Sequence, residues 1–174
     1  MKIGEVLISA EEIDAKLAEM GAAITEDYRG KDLILIGILK GAFVVMADLA
    51  RHIDLPVEVD FMAISSYGSA TKSSGVVRIL KDLDQEIEGR HVLIVEDIVD
   101  TGLTIQYLLK NLWVRKPASL SLAALLVKDG IDRPPLDVKY EGFRIPSKFV
   151  IGYGLDFNGK YRNLPYIAVV EDEE

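Results

Sequence analysis

The chain has 174 residues, which is enough for one well-cored domain and too few for two of ordinary size, so we predict a single domain over residues 1–174. Acidic residues outnumber basic ones by 28 to 20 and the formal net charge is −8. Such a surface repels nucleic acid, which argues against a nonspecific DNA or RNA partner. The sequence contains no cysteine, and this excludes disulfides, thiolate catalysis and cysteine-ligated zinc.

Signals for secretion or for membrane insertion are missing from the sequence. Residues 1–5 are followed by charged residues rather than by the apolar core of a signal peptide. No apolar stretch approaches the roughly 20 residues that a membrane-spanning helix needs. We therefore expect a cytoplasmic protein that has no membrane partner.

Helical and strand patterns alternate in the first part of the chain. Ser9 and Glu12 have the spacing of a capping box, and the apolar residues after them recur at helical spacing. The continuous apolar run at 33–39 predicts a strand buried on both faces. Residues 42–51 then predict a helix, and residues 57–64 predict another strand.

The middle of the chain predicts a loop and two more strands. Residues 65–75 are small and polar, so we expect a long hairpin tip that includes Ser66 and Tyr67 and acts as a mobile lid. Residues 92–95 form a β-branched apolar run, a strand that we expect to end at Glu96 and Asp97. Another strand is predicted over 120–126.

The C-terminal part, from residue 134 onward, loses this alternation. Residues 149–153 and 166–170 are candidates for short strands. Taken together, strands separated by helices predict an α/β fold, a parallel sheet with helices on both faces. Ligands of such sheets bind at the carboxyl ends of the strands. Lys40 with Gly41, residues 96–104, and Lys128 follow three of the predicted strands, so we expect them to form one site.

Residues 96–104, Glu-Asp-Ile-Val-Asp-Thr-Gly-Leu-Thr, are suited to a phosphorylated sugar. They lie between a buried strand and a helical pattern, and backbone amides at a helix N-terminus bind phosphate well. Gly102 lets the backbone approach an anion, and the hydroxyls of Thr101 and Thr104 add donors. The two acids that open the stretch would repel a phosphate unless they held sugar hydroxyls or a divalent cation. The stretch therefore predicts a sugar-phosphate site with magnesium.

The same nine residues resemble the motif that binds phosphoribosyl pyrophosphate in the type I phosphoribosyltransferases. Further segments extend the resemblance over residues 5–170 and make it specific to the hypoxanthine-guanine phosphoribosyltransferases: 39–41, 66–67, 126–128 and 149–156, with Arg162 downstream. The resemblance implies a parallel sheet flanked by helices, with a small hood subdomain and a flexible loop. It also implies a reaction that joins a 6-oxopurine to phosphoribosyl pyrophosphate and releases pyrophosphate.

The resemblance assigns the ribose and the chemistry to the phosphate motif. Glu96 and Asp97 would hold the ribose hydroxyls, directly or through a metal-bound water, and Asp100 would be the acid/base group at the purine N7. The 5′-phosphate-binding residues would be Asp100, Thr101, Gly102, Leu103 and Thr104. The pyrophosphate-binding residues would be Lys40, Gly41 and Arg162, and in the family the peptide bond before this lysine can be cis. The expected magnesium residues are Glu96, Asp97 and Asp156.

The resemblance assigns the choice of base to Lys128. An ammonium only donates, so it suits the O6 acceptor of hypoxanthine or guanine and opposes the 6-amino group of adenine. Phe149 would stack on the purine, and the main chain at Val150 and Asp156 would read its Watson–Crick edge. From the residues alone two alternatives stay open, namely Phe149 as a core side chain and Lys128 as a surface lysine.

Two other functions also stay open. A binding protein on the same fold could sense phosphoribosyl pyrophosphate or nucleotides without catalysis, although Asp100, the loop, Arg162 and the acidic charge argue against it. An enzyme on this fold could use another base; Lys128 opposes adenine and orotate, whereas xanthine shares the 6-oxo group. By resemblance, the partners are small-molecule substrates and copies of the same chain in a homodimer or homotetramer.

Overall fold

The computed structural model describes residues 1–66 and 77–172. The predicted lid, including Tyr67, therefore lies outside the described residues apart from Ser66, whose backbone ends a strand. Across the described ranges, no helix has both the length and the apolar content that a membrane crossing requires.

The elements alternate as the sequence predicts through most of the chain. In order they are β1 (Lys2–Ile8), α1 (Ala10–Asp27), β2 (Leu33–Leu39), α2 (Phe43–Arg51), β3 (Glu58–Ser66), β4 (Val77–Lys81), β5 (His91–Val99), α3 (Leu103–Trp113), β6 (Ser119–Lys128), β7 (Tyr140–Ile145), β8 (Val150–Ile151) and β9 (Ile167–Glu171). The predicted capping box is confirmed, because the Ser9 hydroxyl accepts from the Glu12 amide and the Glu12 carboxylate accepts from the Ser9 amide.

A central sheet of six described strands has the order β4-β3-β2-β5-β6-β7. Neighbouring strands are parallel except in the β3–β4 pair, which is the predicted hairpin. Because successive side chains of a strand point to opposite faces, a strand covered on both sides must be apolar throughout. In β2, Leu33 and Leu35 join one core cluster while Ile34 and Ile36 join the other.

Helices cover both faces of this sheet, as predicted. Side chains of α1 and α2, such as Leu17 and Leu49, belong to the first core cluster. Leu108 and Leu112 of α3 belong to the second cluster, on the opposite face. The parallel strands therefore all present their carboxyl ends at the same edge of a sheet that is held from both sides.

A second, smaller sheet of described strands has the order β1-β9-β8 and is antiparallel. We call it the hood sheet, since it corresponds to the hood subdomain that the resemblance implies. Its first strand, β1, and the edge strand β7 of the central sheet were not anticipated from the sequence. Of the two short strands expected near the C-terminus, the first is only Val150–Ile151 and the second is Ile167–Glu171.

One predicted boundary is wrong. β5 does not end at Glu96 and Asp97 but continues to Val99. The reason is the neighbouring strand, because β6 keeps pairing with β5 beyond the acids, with Glu96 opposite Ala124 and Val99 opposite Val127. Glu96 and Asp97 therefore lie within the paired part of β5 rather than after it. Lys128 likewise is the last residue of β6 rather than part of the loop after it.

The carboxylate of Asp60 ties the segment after β4 to the central sheet. Asp60 lies in β3 and is only 4% exposed. It accepts hydrogen bonds from the amides of Phe61 at 2.7 Å, Asp84 at 2.9 Å and Gln85 at 3.1 Å. The Lys81 ammonium lies 3.8 Å away. A buried carboxylate satisfied in this way holds residues 84–85 against β3.

We expect Asp60→Ala to lower the free energy of unfolding by roughly 3 kcal/mol, because it strands backbone donors that the carboxylate now satisfies. Urea unfolding followed by circular dichroism measures the change. Asp137→Ala, at an exposed aspartate, is the matched control and should stay within about 0.5 kcal/mol of the parent. Equal losses in the two variants would contradict this role for Asp60.

Candidate active site

Three predicted segments meet at the carboxyl edge of the central sheet. Lys40 and Gly41 follow β2, residues 100–104 follow β5, and Lys128 ends β6. The three strands are neighbours in the order β2-β5-β6 and are parallel to one another. The sheet therefore brings these segments together from distant parts of the sequence.

Residues 100–104, which we call the phosphate loop after the ligand expected for them, lead directly into α3. Gly102 is the N-cap and has a φ of 76°, a left-handed conformation that glycine adopts without strain. The Leu103 amide donates to the Thr101 hydroxyl oxygen at 3.4 Å. The first amides of a helix have no preceding turn to bond, so they are suited to an anion. A cavity of about 140 Å³ lies here, lined by Glu96, Ile98, Val99, Asp100, Thr101, Gly102, Thr104 and Ile105.

The carboxylate pair, Glu96 and Asp97, is partly buried beside this cavity. Burial raises the pKa of Glu96 well above its ordinary value, and repulsion from Asp97 adds to the effect. Burial also raises the pKa of Asp97, while the Ile98 amide, which donates to it at 2.7 Å, and the charge of Arg162 oppose that rise. Two ionised carboxylates here are costly, and a bound cation would offset the cost.

The donor set of this pair fits a magnesium ion. In the part of the chain that the structure describes, no group of three or more His, Cys, Asp or Glu side chains is arranged to hold a metal. Magnesium in proteins is commonly held by one or two carboxylates together with substrate phosphates and water. Glu96 and Asp97 can supply the protein side of such a site.

Lys40 and Gly41, which we call the pyrophosphate loop after the ligand expected for them, are packed closely against the carboxylate pair. The Leu39–Lys40 peptide bond is cis, in agreement with the resemblance, and the Lys40 residue is exposed. A Cβ on Gly41 would collide with the Asp97 carboxylate, and a Cβ on Gly154 would collide with the Gly41 carbonyl oxygen. Glycine at both positions therefore lets three separate segments of backbone approach one another.

Arg162 and Asp156 lie on the side of the site formed by the turn after β8. Arg162 donates to the Gly154 carbonyl at 2.7 Å and lies 3.3 Å from the Asp156 carboxylate. Asp156 also accepts from the Gly159 amide at 2.8 Å. Through Gly154, Arg162 is brought next to the pyrophosphate loop. The carboxylate of Asp156 is engaged by Arg162 and does not form a three-carboxylate cluster with Glu96 and Asp97 in the described residues.

Lys128 faces the phosphate loop rather than solvent. Its side chain is only 14% exposed, and its Nζ lies 3.2 Å from Oδ2 of Asp100. The alternative of a surface lysine is therefore wrong. A cation and a carboxylate stand side by side where β6 and β5 end.

Phe149 is 51% exposed, so the alternative of a core side chain is also wrong. Its ring meets Phe157 edge-on, with centroids 5.9 Å apart and an interplanar angle of 89°. The neighbouring Val150 is buried and pairs with Val169 in the hood sheet. An aromatic ring that is half exposed and packed against a neighbouring ring can stack on a planar ligand.

One residue near the site was not singled out from the sequence. Arg133 donates from Nε to the Asp100 carbonyl at 2.8 Å, and its guanidinium also donates to the Lys128 carbonyl. In the sequence Arg133 is a single cation in front of Pro134 and Pro135. Such a position does not by itself indicate a partner.

Comparison with known proteins agrees with the geometry. A sequence model of the family described as phosphoribosyl transferase domain matches residues 9–158. The hypoxanthine-guanine phosphoribosyltransferase of Mycobacterium avium is 53% identical, over 97% of this chain and 86% of that protein. The enzyme of that name from Bacillus subtilis is 49% identical, over 97% of this chain and 94% of that protein.

Solved structures are similarly close. A hypoxanthine phosphoribosyltransferase from Staphylococcus aureus superposes with a TM-score of 0.94 at 45% identity, covering 97% of this chain and 92% of that one. A hypoxanthine-guanine phosphoribosyltransferase from Bacillus anthracis superposes with a TM-score of 0.94 at 44% identity, covering 98% and 100%. The chain therefore belongs to the phosphoribosyltransferase family, and within it to the hypoxanthine-guanine phosphoribosyltransferases.

Proposed function

We propose that the chain works in purine salvage and transfers the 5-phosphoribosyl group from phosphoribosyl pyrophosphate to hypoxanthine or guanine. The products are IMP or GMP and pyrophosphate. The observation that carries the proposal is the pairing of Lys128 with Asp100 at 3.2 Å. A donor and an acceptor stand together there, and a 6-oxopurine presents a complementary acceptor, O6, next to its N7–H donor.

The choice of base follows from the hydrogen-bonding capacity of this pair. The ammonium of Lys128 has donors only, so it can bind O6 but not the 6-amino group of adenine. A donor that faces another donor in a largely buried position loses its solvent partners without replacement, which costs binding free energy. Phe149 supplies a face for stacking, and the main chain at Val150 and Asp156 reads the opposite edge of the purine.

The reaction breaks the bond between ribose C1′ and the pyrophosphate oxygen while purine N9 attacks C1′. Asp100 accepts the proton that leaves N7 in this step, acting as a general base. Glu96 and Asp97 hold the ribose hydroxyls. The 5′-phosphate binds the phosphate loop, through Asp100, Thr101, Gly102, Leu103 and Thr104. The pyrophosphate meets Lys40, Gly41 and Arg162.

Magnesium is the cofactor that fits these carboxylates: Glu96 and Asp97 would hold it on the ribose side of the site, and Asp156 would be a ligand on the pyrophosphate side. When bound, it offsets the negative charge that develops on the leaving pyrophosphate. Fixed cations and amides of the chain act in the same direction, because they are already oriented toward that charge. By resemblance, Ser66 and Tyr67 would belong to a loop that excludes water from the reacting sugar; Tyr67 lies outside the described residues.

The two other functions have less support. The relatives and solved structures described above carry the names of enzymes, and those names specify hypoxanthine or hypoxanthine and guanine rather than xanthine. From the resemblance we also propose that the chain acts in the cytoplasm as a homodimer or homotetramer. Sedimentation of the purified protein measures its assembly state.

The function is tested by steady-state kinetics with phosphoribosyl pyrophosphate and four bases in parallel. We expect turnover with hypoxanthine and guanine and a kcat/KM for adenine lower by at least about 10³-fold, because a site built to pair a polar group rejects the analogue that lacks it. Xanthine is the third 6-oxopurine, and its kcat/KM gives the order of preference. Equal use of adenine, or a clear preference for xanthine, would contradict the proposal.

The same assay examines Lys128 directly. Lys128→Ala should raise KM for both 6-oxopurines by roughly 10- to 100-fold, because it deletes a charged donor, while KM for phosphoribosyl pyrophosphate changes little. Lys31→Ala, at an exposed lysine, is the control and should leave both constants near those of the parent.

Asp100→Asn should keep the fold and lower kcat by about 10²- to 10⁴-fold, because an amide of the same shape cannot accept the N7 proton. Asp129→Asn is the matched control, since Asp129 is a nearby exposed aspartate whose partner is Arg144. Stopped assays that follow nucleotide formation measure both. Turnover of Asp100→Asn within a few-fold of the parent would remove Asp100 from the mechanism.

The raised pKa of Glu96 has a consequence for stability. Because the folded-state pKa lies above the unfolded one, the folded protein binds the proton more tightly, and stability falls as pH rises from the ordinary value of 4.5 through the raised value. At a pH above the raised pKa, the folded protein bears the full free-energy cost of ionising Glu96. Glu96→Gln removes this cost, so we expect it to melt at a higher temperature than the parent at pH 7.

The melting temperature of Glu96→Gln should rise by about 2–4 °C for each kcal/mol of unfolding free energy that is regained. This rise should shrink as the pH approaches 4.5. Scanning calorimetry without magnesium or substrate measures it. Glu88→Gln, at an exposed glutamate, should show no such gain. A melting temperature of Glu96→Gln below that of the parent at pH 7 would show that the carboxylate stabilises the free protein.

A further inference from the structure

Arg133 lies in the loop between β6 and β7 and is partly buried. Its Nε donates to the Asp100 carbonyl at 2.8 Å, and a terminal nitrogen donates to the Lys128 carbonyl. Among the described residues, these two backbone oxygens are its polar partners. The guanidinium is therefore placed as a bridge between two segments of backbone rather than as half of an ion pair.

The two carbonyls belong to the ends of neighbouring strands. The register of β5 with β6 runs to Val99 opposite Val127. Asp100 directly follows Val99, and Lys128 directly follows Val127. Arg133 joins the two backbones one residue beyond that last strand pair. A guanidinium is planar and its donors have a fixed fork geometry, so binding both carbonyls sets the distance between them.

The side chains that project from these two residues are the paired ammonium and carboxylate. Lys128 Nζ and Asp100 Oδ2 are 3.2 Å apart. In the proposed reaction the first binds O6 and the second accepts the proton of N7. The spacing of the pair must match the separation of O6 and N7, which the rigid purine fixes, so a shift of either backbone misaligns both contacts.

Arg133 is itself held in place by its own loop. Two prolines follow it, and a residue before proline is largely restricted to extended backbone. The Pro135 carbonyl accepts from Nε2 of Gln106 in α3 at 3.2 Å. Leu136 packs beside Gly102, the N-cap of α3. Contacts with α3 and its N-cap therefore hold in place the loop that carries Arg133.

We propose that Arg133 is a positioning residue for the reaction, one that sets the separation of Lys128 and Asp100 by bridging their carbonyls. The inference rests on the proposed function, because it presupposes that this pair reads and deprotonates the base. Arg133 acts through the two residues and does not touch the purine. Misplacement of reacting groups by about 1 Å can cost on the order of 10²-fold in rate, so a rigid bridge at this point matters.

Two variants separate the fixed donor geometry of the Arg133 guanidinium from its positive charge. Arg133→Lys keeps the positive charge but cannot bridge two carbonyls with fixed geometry, and Arg133→Met keeps only the aliphatic bulk. We expect both to raise KM for hypoxanthine and to lower kcat, each by about 10-fold or more, with KM for phosphoribosyl pyrophosphate within about two-fold of the parent. Arg144→Met is the control, since Arg144 pairs with Asp129 and Glu141 on the adjacent exposed edge.

Thermal melting of each variant accompanies the kinetics. If Arg133→Met does not fold, Arg133→Lys carries the test, because it retains the charge and most of the packing. Wild-type kinetics in Arg133→Lys would overturn the proposal, since they would show that a charge at this position is sufficient. A change confined to KM for phosphoribosyl pyrophosphate would overturn it as well, because it would make Arg133 a phosphate ligand.

A double-mutant cycle with Lys128→Ala tests whether Arg133 acts through the pair. In the Lys128→Ala background, Arg133→Met should change KM for hypoxanthine by less than about two-fold, because no ammonium remains to be positioned. Full additivity of the two effects would overturn the proposal. Failure of the proposed function is distinguishable, because the parent protein would then show no turnover with hypoxanthine or guanine.

Discussion

The parallel pairing of β5 with β6 is the constraint on which the rest of the site depends. Each strand is covered on both faces, so neither can slide without moving apolar side chains out of a core cluster. That register ends with Val99 opposite Val127, and the next residues, Asp100 and Lys128, are consequently side by side. The same pairing carries Glu96 and Asp97 to the rim of the sheet in a strand that water reaches poorly. The pairing of Lys128 with Asp100 and the placement of the two carboxylates thus follow from one ladder of hydrogen bonds.

The site balances like and unlike charges over a short distance. Burial raises the pKa of Glu96 and that of Asp97, and repulsion from Asp97 raises the pKa of Glu96 further, whereas the charge of Arg162 lowers the pKa of Asp97. Two ionised carboxylates are therefore costly at this position, and the magnesium ion proposed above would offset that cost. At the ends of β5 and β6, by contrast, the opposite charges of Asp100 and Lys128 offset each other.

The parts of this structure that could be predicted from the sequence are those with strong local patterns. The run at 33–39 is apolar because both faces of β2 are buried, and the strand has those bounds. The edge strand β7 was missed because, among the described strands, it pairs with β6 alone, and its sequence includes polar residues such as Glu141 and Arg144. The end of β5 was misplaced because acids normally end a core strand, and here a tertiary neighbour overrides that tendency. The partners of Arg133 are distant in sequence, and no local pattern encodes them.

The hood sheet has a consequence for the order of folding. Its central strand, β9, pairs with β1 at one side and with β8, next to Phe149, at the other. Lys2 lies opposite Glu171, so this sheet joins segments that are far apart in sequence, whereas the strands of the central sheet all lie between Leu33 and Ile145. Closing a longer loop costs more entropy, and contacts between distant segments form more slowly. We therefore expect the surroundings of Phe149 to become ordered after the central sheet has formed.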